Sequence, residues 1–301
     1  MTENSFYHAS VLLHEAVDGL AIKPNGVYVD ATFGGGGHSE AILQQLGEEG
    51  KLLVFDQDED AWRNLPNDSR VVPVHENFRY LKQFLRLHGI DKVDGILADL
   101  GVSSHQFDTG ERGFSIRFDG PLDMRMDKRG ELTAASVLKN YSELQLHKIF
   151  EQYGEVRNAK QLAKHIVTHR KGMVLNNISS LKALVTPVMR GNPNKYLAQL
   201  FQALRIEVND ELGALKALLQ QASQSLKVGG RLCVITFHSL EDRMVKHYIK
   251  RGEWEEQQSL MGNQAAPVFK AVNAKSIVPG ENELKNNSRA RSARLRIAEK
   301  V

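Results

Sequence analysis

The stretch Val27-Tyr-Val-Asp-Ala-Thr-Phe-Gly-Gly-Gly-Gly-His-Ser39 decides the fold class of this 301-residue chain. It opens with an apolar run that ends in Asp30, its glycines permit a tight turn, and a helical pattern follows over Glu40–Leu46. Further short apolar runs come soon after it: Leu52–Asp56, Val71–His75 and Gly95–Asp99. Apolar runs that alternate with helical or polar segments are typical of βαβ units. The pattern therefore predicts an α/β fold with a parallel sheet buried on both faces.

Three of these runs end in an acidic residue, namely Asp30, Asp56 and Asp99. Parallel strands bring their carboxyl ends to one edge of the sheet, and open α/β sheets bind their ligands at that edge. We therefore expect the three carboxylates to lie on the ligand-binding edge.

Composition limits the class of protein. With 42% hydrophobic and 25% charged residues the chain is expected to be globular. Its 39 basic and 36 acidic residues give a net charge of +3, which is too small to indicate a nucleic-acid footprint by itself. The single cysteine, Cys233, excludes an intrachain disulfide and a thiolate metal cluster. No apolar stretch approaches the ~18 residues of a membrane helix, and the start, Met1 to His14, lacks the order of a signal peptide. We expect a cytoplasmic protein with no membrane partner.

The glycine loop fails two common phosphate-binding patterns. A dinucleotide fingerprint needs a glycine at its sixth position, which is Ser39 when counted from Gly34, and a P-loop needs Lys-Ser or Lys-Thr after the glycines. An acid before the turn and a second acid, Asp56, after the next strand suit the hydroxyls of an adenosine ribose, with no diphosphate to neutralise. These features favour S-adenosylmethionine as the ligand. The alternative is a glycine turn that binds nothing.

The sequence pattern changes at Gly113, where the apolar runs typical of strands give way to a polar loop and then to helical patterns. The predicted helix starts are the capping pair Ser142 and Gln145, the pair Asn158 and Gln161, and Ser180. We therefore predict an all-helical insertion over 113–205 within a sheet domain formed by 1–112 and 206–301.

Two further elements are predicted after the insertion. A helix lined by Leu212, Leu215, Leu219 and Leu226 is expected to end at Gly229-Gly230, before a returning strand at Arg231–Phe237. The tail, Val268 to Ala298, has two β-rich runs around Pro279-Gly280, which predicts a hairpin that closes the sheet.

Six segments, in order along nearly the whole chain, resemble the bacterial ribosomal small-subunit methyltransferase H family, also called MraW. They are Gly35-Gly-Gly-His-Ser39, Asp99-Leu-Gly-Val-Ser-Ser104, Arg112-Gly-Phe-Ser115, Asp119-Gly-Pro-Leu-Asp-Met-Arg-Met-Asp127, Phe201-Gln-Ala-Leu-Arg-Ile-Glu-Val-Asn209 and Phe237-His-Ser-Leu-Glu-Asp242. One departure is Lys195–Leu200, where many members carry a His-Pro-Ala-Thr-Arg-like run. If that run holds RNA, the contact differs here.

The resemblance implies fold, activity and site. Members methylate the N4 atom of a cytosine in the decoding region of 16S rRNA, with S-adenosylmethionine as cofactor. The expected partner is 16S rRNA, and the choice between bare rRNA and the small ribosomal subunit is left open. The implied fold is a Rossmann-like methyltransferase domain with an inserted helical domain for substrate recognition. The residues that match the family's cofactor positions are Gly36, Gly37, His38, Asp56, Phe78, Asp99 and Gln106. Phe78 is expected to stack on adenine, and Gln106 to hydrogen-bond the cofactor.

Asp99 is also the candidate catalytic residue. The N4 amine of cytosine is a poor nucleophile, because its lone pair is delocalised into the ring. Attack on a methyl group makes this nitrogen tetrahedral and positively charged, so an acceptor must hold its protons. A carboxylate at the end of a strand, in a mostly apolar pocket, supplies such an acceptor. The alternative is an aspartate that only caps a helix or ends a strand. The last proton acceptor, Asp99 or water, is left open.

Three histidines are further candidates for a chemical role. His238 lies where a strand meets a helix and could contact the base or a phosphate. The alternative, which we favour, is a structural motif in which Ser239 caps that helix with Asp242 at its third position. His165 and His169 share a helix face but lack the glutamate and third ligand of a zinc site, so no metal is predicted.

Two basic clusters are candidate RNA contacts. One holds Lys285, Arg289, Arg291, Arg294 and Arg296, and the other holds Arg112, Arg117, Arg125, Lys128 and Arg129. The alternative is a solvated face with ion pairs to Asp119, Asp123 and Asp127. Two other functions stay open on the residues alone: a dehydrogenase and a non-enzymatic RNA-binding or assembly factor.

Overall fold

The computed structural model describes residues 10–252 and 267–301. In these ranges the strands are β1 (Val27–Asp30), β2 (Lys51–Phe55), β3 (Val71–Val74), β4 (Val93–Asp99), β5 (Leu226–Thr236), β6 (Phe269–Ala271) and β7 (Arg294–Lys300). They form one sheet in the order β3-β2-β1-β4-β5-β7-β6. Strands β1 to β5 are parallel, and β7 runs antiparallel to its neighbours β5 and β6. The predicted α/β fold is confirmed.

The helices of the described ranges, in chain order, are α1 (Leu13–Gly19), α2 (Gly37–Gln45), α3 (Leu81–Leu87), α4 (Ser104–Asp108), α5 (Ala134–Asn140), α6 (Glu143–Gln152), α7 (Ala159–His169), α8 (Ile178–Val185), α9 (Pro193–Asn209), α10 (Glu211–Ser225), α11 (Ser239–Arg251) and α12 (Glu281–Asn286). None of them has the length and apolar composition needed to cross a bilayer. Residues 1–9, part of the start for which we predict no signal peptide, lie outside the described ranges.

Both faces of the sheet are buried, because successive strand residues point to opposite sides. On β2, Leu53 and Phe55 pack in one core with Leu215 and Leu218 of α10. Leu52 and Val54 of the same strand pack in a second core with residues of α1 and α2. A strand that is buried on both sides needs a continuous apolar run, which is why these strands could be predicted from the sequence.

The chain folds as two compact units. One comprises the described residues of Met1–Gly101 and Gly213–Val301, and the other is Val102–Leu212. The second unit is helical and has its own core, which includes Leu146, Phe150 and Leu200. Its bounds are wider than the 113–205 predicted, since Val102 and α4 pack with the helices and not with the sheet.

Several helix starts in the second unit differ from expectation. Ser142 caps α6 with Gln145 as predicted. Helix α8 starts earlier than predicted, because Asn177 is the cap and Ser180 closes the box as its third residue. Helix α7 begins after Asn158, but the Asn158 side chain makes no cap bond and instead donates to the Val188 carbonyl at 2.9 Å.

The prediction that one helix runs to Gly229-Gly230 was wrong. Helix α10 ends at Ser225, and Leu226 already pairs with Val93 at the start of β4. Lys227 is held there by an ion pair to the buried Asp94, with Nζ and Oδ2 2.7 Å apart. The register of β5 then shifts before Arg231, so the glycines lie in an irregularity inside the strand rather than at a helix end.

The tail closes the sheet, as predicted, but not as a hairpin with a Pro-Gly turn. β6 and β7 pair antiparallel, with Lys270 opposite Glu299. Pro279 and Gly280 lead into α12, whose cap residue is Gly280. This helix brings Glu283 back to the first helix, where its Oε1 accepts the N–H of Leu12 at 2.8 Å.

Candidate active site at the carboxyl edge of the sheet

The carboxyl ends of β1 and β4 form the centre of the candidate site. These neighbouring strands end in Asp30 and Asp99, and the order of the sheet reverses between them, which is where open α/β sheets bind ligands. Thr32, just beyond β1, accepts the N–H of Asp99 with its Oγ1 at 2.7 Å. The expectation that the acids share one edge is confirmed.

The Asp99 carboxyl is incompletely satisfied. Its Oδ1 is buried and has no hydrogen-bond partner among the described residues. Burial raises the pKa of Asp99 well above its ordinary value, and the negative charges of Asp30, Glu241 and Glu283 add to the effect. A buried polar atom without a partner is costly, so this oxygen is prepared for a donor that the chain does not supply.

His38 lies buried in the first turn of α2, beside Asp99. Its Nε2 is 3.1 Å from the carbonyl of Val11, which can only accept, so Nε2 carries the proton. The other ring nitrogen, Nδ1, is 3.9 Å from Oδ2 of Asp99. Burial lowers the pKa of His38 and favours the neutral ring.

Both carboxylate oxygens of Asp30 accept hydrogen bonds from the glycine loop. Its Oδ2 accepts the hydroxyl of Ser39 at 2.7 Å, and its Oδ1 accepts the N–H of Thr32 at 3.0 Å. Because its neighbours Thr32 and Ser39 flank the glycines on both sides, Asp30 fixes the two ends of the loop. Burial raises the pKa of Asp30.

Asp56 supports the glycine loop from the neighbouring strand. Its Oδ2 accepts the N–H of Gly34 and its Oδ1 accepts the N–H of Asp58, each at 2.8 Å. Burial raises the pKa of Asp56 to about 6. Each carboxylate oxygen has two lone-pair positions, so each keeps one free for a ligand hydroxyl. The backbone amides orient the carboxylate for such a contact.

The glycines of the loop differ in what a side chain would meet. Gly36 has a φ of +81° and caps α2, so any side chain there strains the backbone. At Gly37 a Cβ would stand 2.2 Å from Ser10 Oγ. At Gly35 a Cβ would meet nothing within 4 Å, and no left-handed conformation is required. The loop is therefore tight on one side and open at Gly35.

The two remaining predicted residues lie in different units. Phe78 begins a short 3-10 turn after β3 and is half-buried. Its neighbour Asn77 ties that turn to the loop after β2, with Nδ2 donating to Gln57 Oε1 at 2.8 Å. Gln106 belongs to α4 in the helical unit, where its Oε1 accepts the N–H of Ser103 at 3.0 Å. The sheet unit thus carries Gly36, Gly37, His38, Asp56, Phe78 and Asp99.

The motif after β5 has a different local structure from the one predicted. The cap of α11 is His238, not Ser239, and its third residue is Glu241, not Asp242. The buried Glu241 accepts the N–H of Phe237 at 2.9 Å. Asp242 instead pairs with Arg296 through two contacts of 2.8 and 2.9 Å.

Several arginines of the two basic clusters are already engaged. Arg125 pairs with Asp123 at 2.7 Å and Arg129 with Asp127 at 2.8 Å. Arg112 is buried and donates to the carbonyls of Arg125 and Met126. In the polar loop the ion-pair interpretation is therefore correct for Arg125 and Arg129, whereas Arg112 is held by backbone carbonyls. His165 and His169 each contact a backbone carbonyl, of Leu184 and of His165 respectively.

Thr32, Glu241 and Glu283 were not predicted as site residues. Thr32 carries a weak signal, because it stands two residues past a strand-end acid in the loop that precedes the glycines. Glu241 lies in Phe237–Asp242, a segment singled out for its family resemblance, whereas Glu283 carries no local signal. Both act on Asp99 because distant chain segments return to it.

Comparison with known proteins identifies the relatives of the chain. Residues 5–301 match the profile of the MraW methylase family. A protein of Bacteroides thetaiotaomicron called ribosomal RNA small subunit methyltransferase H is 56% identical over 297 residues, 98% of this chain and 97% of that protein. A protein of the same name from Flavobacterium johnsoniae is 53% identical in an alignment that covers 100% of both chains. The crystal structure of an rRNA methylase from Streptococcus thermophilus aligns with 97% of this chain and 98% of its own. The two are 12% identical, and the TM-score of 0.43 is too low to support a conclusion.

Proposed function

The chain belongs to the MraW methylase family, and from this premise we propose that it transfers the methyl group of S-adenosylmethionine to the exocyclic N4 of a cytosine in the decoding region of 16S rRNA. Relatives that match it from end to end are named for ribosomal RNA of the small subunit, which supports the substrate class and a place of action in the cytoplasm. The family favours methyl transfer over the dehydrogenase alternative. The observation that carries the site assignment is the unsatisfied Oδ1 of Asp99 at the end of β4.

The residues present fit S-adenosylmethionine. When bound, this cofactor supplies a methyl group on a positively charged sulfur. Asp56 offers one free lone pair per oxygen to the ribose hydroxyls, and the open side of Gly35 leaves room for the methionine part. Phe78 supplies a ring for the adenine, with His38 and the backbone of Gly36 and Gly37 completing the loop side. Gln106, on the helical unit, is assigned to the cofactor by the family resemblance alone.

Asp99 performs the chemistry at the acceptor. Methyl transfer needs the nucleophilic nitrogen in line with the methyl group, so positioning is the larger part of catalysis. An ionised Asp99 accepts a hydrogen bond from the N4 amine, directs the lone pair toward the methyl, and stabilises the positive charge that develops. Thr32, through the backbone of Asp99, fixes the position of this carboxylate.

The helical unit, Val102–Leu212, is the substrate-recognition module in this proposal. A target base must leave its stack to enter a pocket, at a cost of roughly a few kcal/mol, and contacts to the flanking RNA offset that cost. The sequence departure at Lys195–Leu200 lies on α9 of this unit. Contacts there are expected to differ in detail from those of other members.

A labelling experiment tests the proposed function. The protein is incubated with small ribosomal subunits, or with bare 16S rRNA, and methyl-labelled S-adenosylmethionine, and the digested nucleosides are analysed by mass spectrometry. Label in N4-methylcytidine is expected, and the comparison of substrates shows which is preferred. Label only in another nucleoside would contradict the N4 assignment.

Asp56→Ala is expected to weaken S-adenosylmethionine binding by at least about 100-fold, since two ribose hydroxyls lose a charged acceptor worth ~1.5–3 kcal/mol each. Titration calorimetry measures the affinity. Glu59→Ala, an exposed site with the same change of charge, is the control and should bind normally. Unchanged affinity in Asp56→Ala would remove Asp56 from the site.

Gly35→Val is expected to abolish cofactor binding with little effect on folding. The added side chain meets no protein atom and needs no strained backbone, so it fills space that we assign to the cofactor. Gly172→Val is the matched control, because a Cβ there also meets nothing within 4 Å. Thermal melting and calorimetry separate the two effects. Normal binding in Gly35→Val would mean that the loop is only a turn.

A further inference from the structure

Two hydrogen-bond acceptors face each other at the carboxyl edge of the sheet. His38, in the first turn of α2, turns its Nδ1 toward Oδ2 of Asp99 at the end of β4, and the two atoms are 3.9 Å apart. This distance exceeds the roughly 3.2 Å that an ordinary N–H···O hydrogen bond spans. Among the described residues, neither atom accepts a hydrogen bond from another group. We call His38 Nδ1 and Asp99 Oδ2 the acceptor pair.

The contact on the far side of the His38 ring makes Nδ1 an acceptor. Nε2 lies 3.1 Å from the carbonyl of Val11, and this carbonyl only accepts, so the ring proton is on Nε2. The side chain is 6% exposed, and burial lowers the pKa of His38, which keeps the ring neutral. Nδ1 therefore presents a lone pair, and no proton, to Asp99.

The Asp99 side of the pair is also fixed and is open to a ligand. Its backbone N–H is held by Thr32 Oγ1 at 2.7 Å. Its Oδ1 is buried, whereas the side chain as a whole is 23% exposed, so Oδ2 is the oxygen that an incoming group reaches first. Both members of the pair belong to the sheet unit.

A single group with two hydrogens satisfies both acceptors. A planar amine nitrogen placed about 2.9 Å from each of two acceptors 3.9 Å apart makes both N–H···acceptor angles roughly 150°, within the favourable range. The exocyclic amine of cytosine has these two hydrogens, whereas uracil presents only a carbonyl oxygen at the same place.

We infer that the acceptor pair is the receptor for the primary amine of the target base, with one N4 hydrogen on Asp99 Oδ2 and the other on His38 Nδ1. This rests on the proposed function, which places N4 against Asp99. An amine held by both hydrogens has its plane fixed, so its lone pair is aimed along one line at the methyl group. His38 is thereby a specificity-determining residue, because a base without two N–H donors leaves an acceptor unpaired.

The acceptor pair also limits the reaction to one methyl group. Transfer breaks the bond between methyl carbon and sulfur, with the electron pair left on sulfur, and bonds that carbon to N4 through the nitrogen lone pair. The positive nitrogen then gives one proton to the Asp99 carboxylate, which releases it to solvent as the product leaves. The product amine has a single hydrogen and cannot satisfy both acceptors. The unpaired acceptor disfavours a second transfer by roughly tenfold to a hundredfold.

Two RNA substrates test this limit with the unaltered full-length protein. One is untreated RNA, and the other is the same RNA methylated to completion beforehand by the protein with unlabelled S-adenosylmethionine. Single-turnover rates with labelled S-adenosylmethionine are followed by mass spectrometry, as N4-methylcytidine from the first RNA and N4,N4-dimethylcytidine from the second. We expect the second rate to be at least about tenfold lower. Rates within twofold of each other would overturn the inference.

His38→Gln tests the second acceptor. Glutamine can place an amide N–H where Nε2 lies and keep the bond to the Val11 carbonyl, but it has no atom in place of Nδ1. At saturating S-adenosylmethionine we expect the rate on untreated RNA to fall by roughly tenfold to a hundredfold, and the rate on premethylated RNA not to fall. The discrimination between the two RNAs is then largely lost. His88→Gln, the same change at an exposed position at the end of α3, should alter neither rate.

The outcomes separate a second acceptor from a structural histidine. If His38 only supports the loop, His38→Gln slows both rates equally or neither, and either result would overturn the inference. A variant that only weakens S-adenosylmethionine affinity in calorimetry, with discrimination intact, would assign the pair to the amino group of the cofactor and would overturn it as well. If thermal melting shows that His38→Gln is unfolded, the comparison of the two RNAs with the unaltered protein decides.

The same measurements distinguish this inference from the proposed function. If the unaltered protein places no label in N4-methylcytidine of untreated RNA, the proposed function is wrong and the inference falls with it. Label in N4-methylcytidine at a rate matched by the second transfer would leave the proposed function intact and would overturn the inference alone.

Discussion

Asp99→Asn is expected to slow methyl transfer by on the order of 10²–10³, the usual effect of removing one preorganised electrostatic group. An amide has nearly the same size as the carboxyl, and the backbone N–H bond to Thr32 is unaffected. In the proposed mechanism the variant loses the anion that accepts a hydrogen bond from N4 and stabilises the developing charge.

The same substitution is expected to stabilise the fold. The folded state raises the pKa of Asp99, because the ionised form is buried among other carboxylates. A raised pKa means that stability is lost as pH rises from the ordinary aspartate range through the raised value. Asparagine does not titrate, so the melting temperature of the variant should exceed that of the parent by an amount that grows over this pH range and then levels off.

Single-turnover kinetics at saturating S-adenosylmethionine measure the chemical step apart from cofactor affinity. Asp91→Asn, which makes the same change at an exposed position before β4, should leave both rate and melting temperature unchanged. A single-turnover rate within about twofold of the parent would leave Asp99 with a positioning role only. A lower melting temperature at alkaline pH would contradict the electrostatic account.

The strands and the strand-end acids were predictable because their causes are local. A strand buried on both faces must be apolar at successive positions, as in Leu52 to Phe55, and its end is marked by the first charged residue. The glycine loop was also visible, since only glycine adopts the φ of +81° at Gly36 without strain. These features fixed the position of the candidate site before any contact was known.

The longest helix of the described residues, α9, was missed although its start carries a strong signal. Asn192 caps it by accepting the N–H of Lys195 at 3.1 Å, and Pro193 occupies the first turn, where its lack of an N–H costs nothing. Its residues were interpreted only through the family resemblance, Lys195–Leu200 as a departure and Phe201–Asn209 as a match. The end of α10 was misplaced for a different reason: glycines after an apolar pattern usually end a helix, but here Lys227 reaches the distant Asp94.

The unpredicted members of the site depend on tertiary structure. Glu241 is brought near Asp99 by the pairing of β4 with β5, and Glu283 by the antiparallel return of the tail through β7. Neither electrostatic interaction has a signature in the neighbouring sequence. The pKa of Asp99 is therefore a property of the assembled sheet unit, although the residue itself was readable as a strand-end acid.

Removal of the helical unit is expected to abolish RNA methylation while the sheet unit still binds S-adenosylmethionine. Each unit buries its own core, so the deletion should follow the structural bounds, Val102–Leu212, with a short linker between Gly101 and Gly213. A narrower cut of 130–200 would leave Phe114, Leu122 and Met124 without the helices on which they pack, and that product should aggregate.

The deletion separates recognition from cofactor binding. The glycine loop, Asp56, Phe78 and Asp99 all remain, and only Gln106 among the proposed cofactor residues is removed, so the loss of affinity should stay within about tenfold, the effect of one or two neutral hydrogen bonds. Calorimetry measures that affinity, and the labelling assay with small subunits and with bare 16S rRNA measures transfer. Because a sheet unit without RNA contacts cannot offset the cost of extruding the target base, no labelled N4-methylcytidine is expected from either substrate. Methylation at the parental rate would show that the sheet unit alone recognises the RNA, and loss of cofactor binding in a folded product would place essential cofactor contacts in Val102–Leu212.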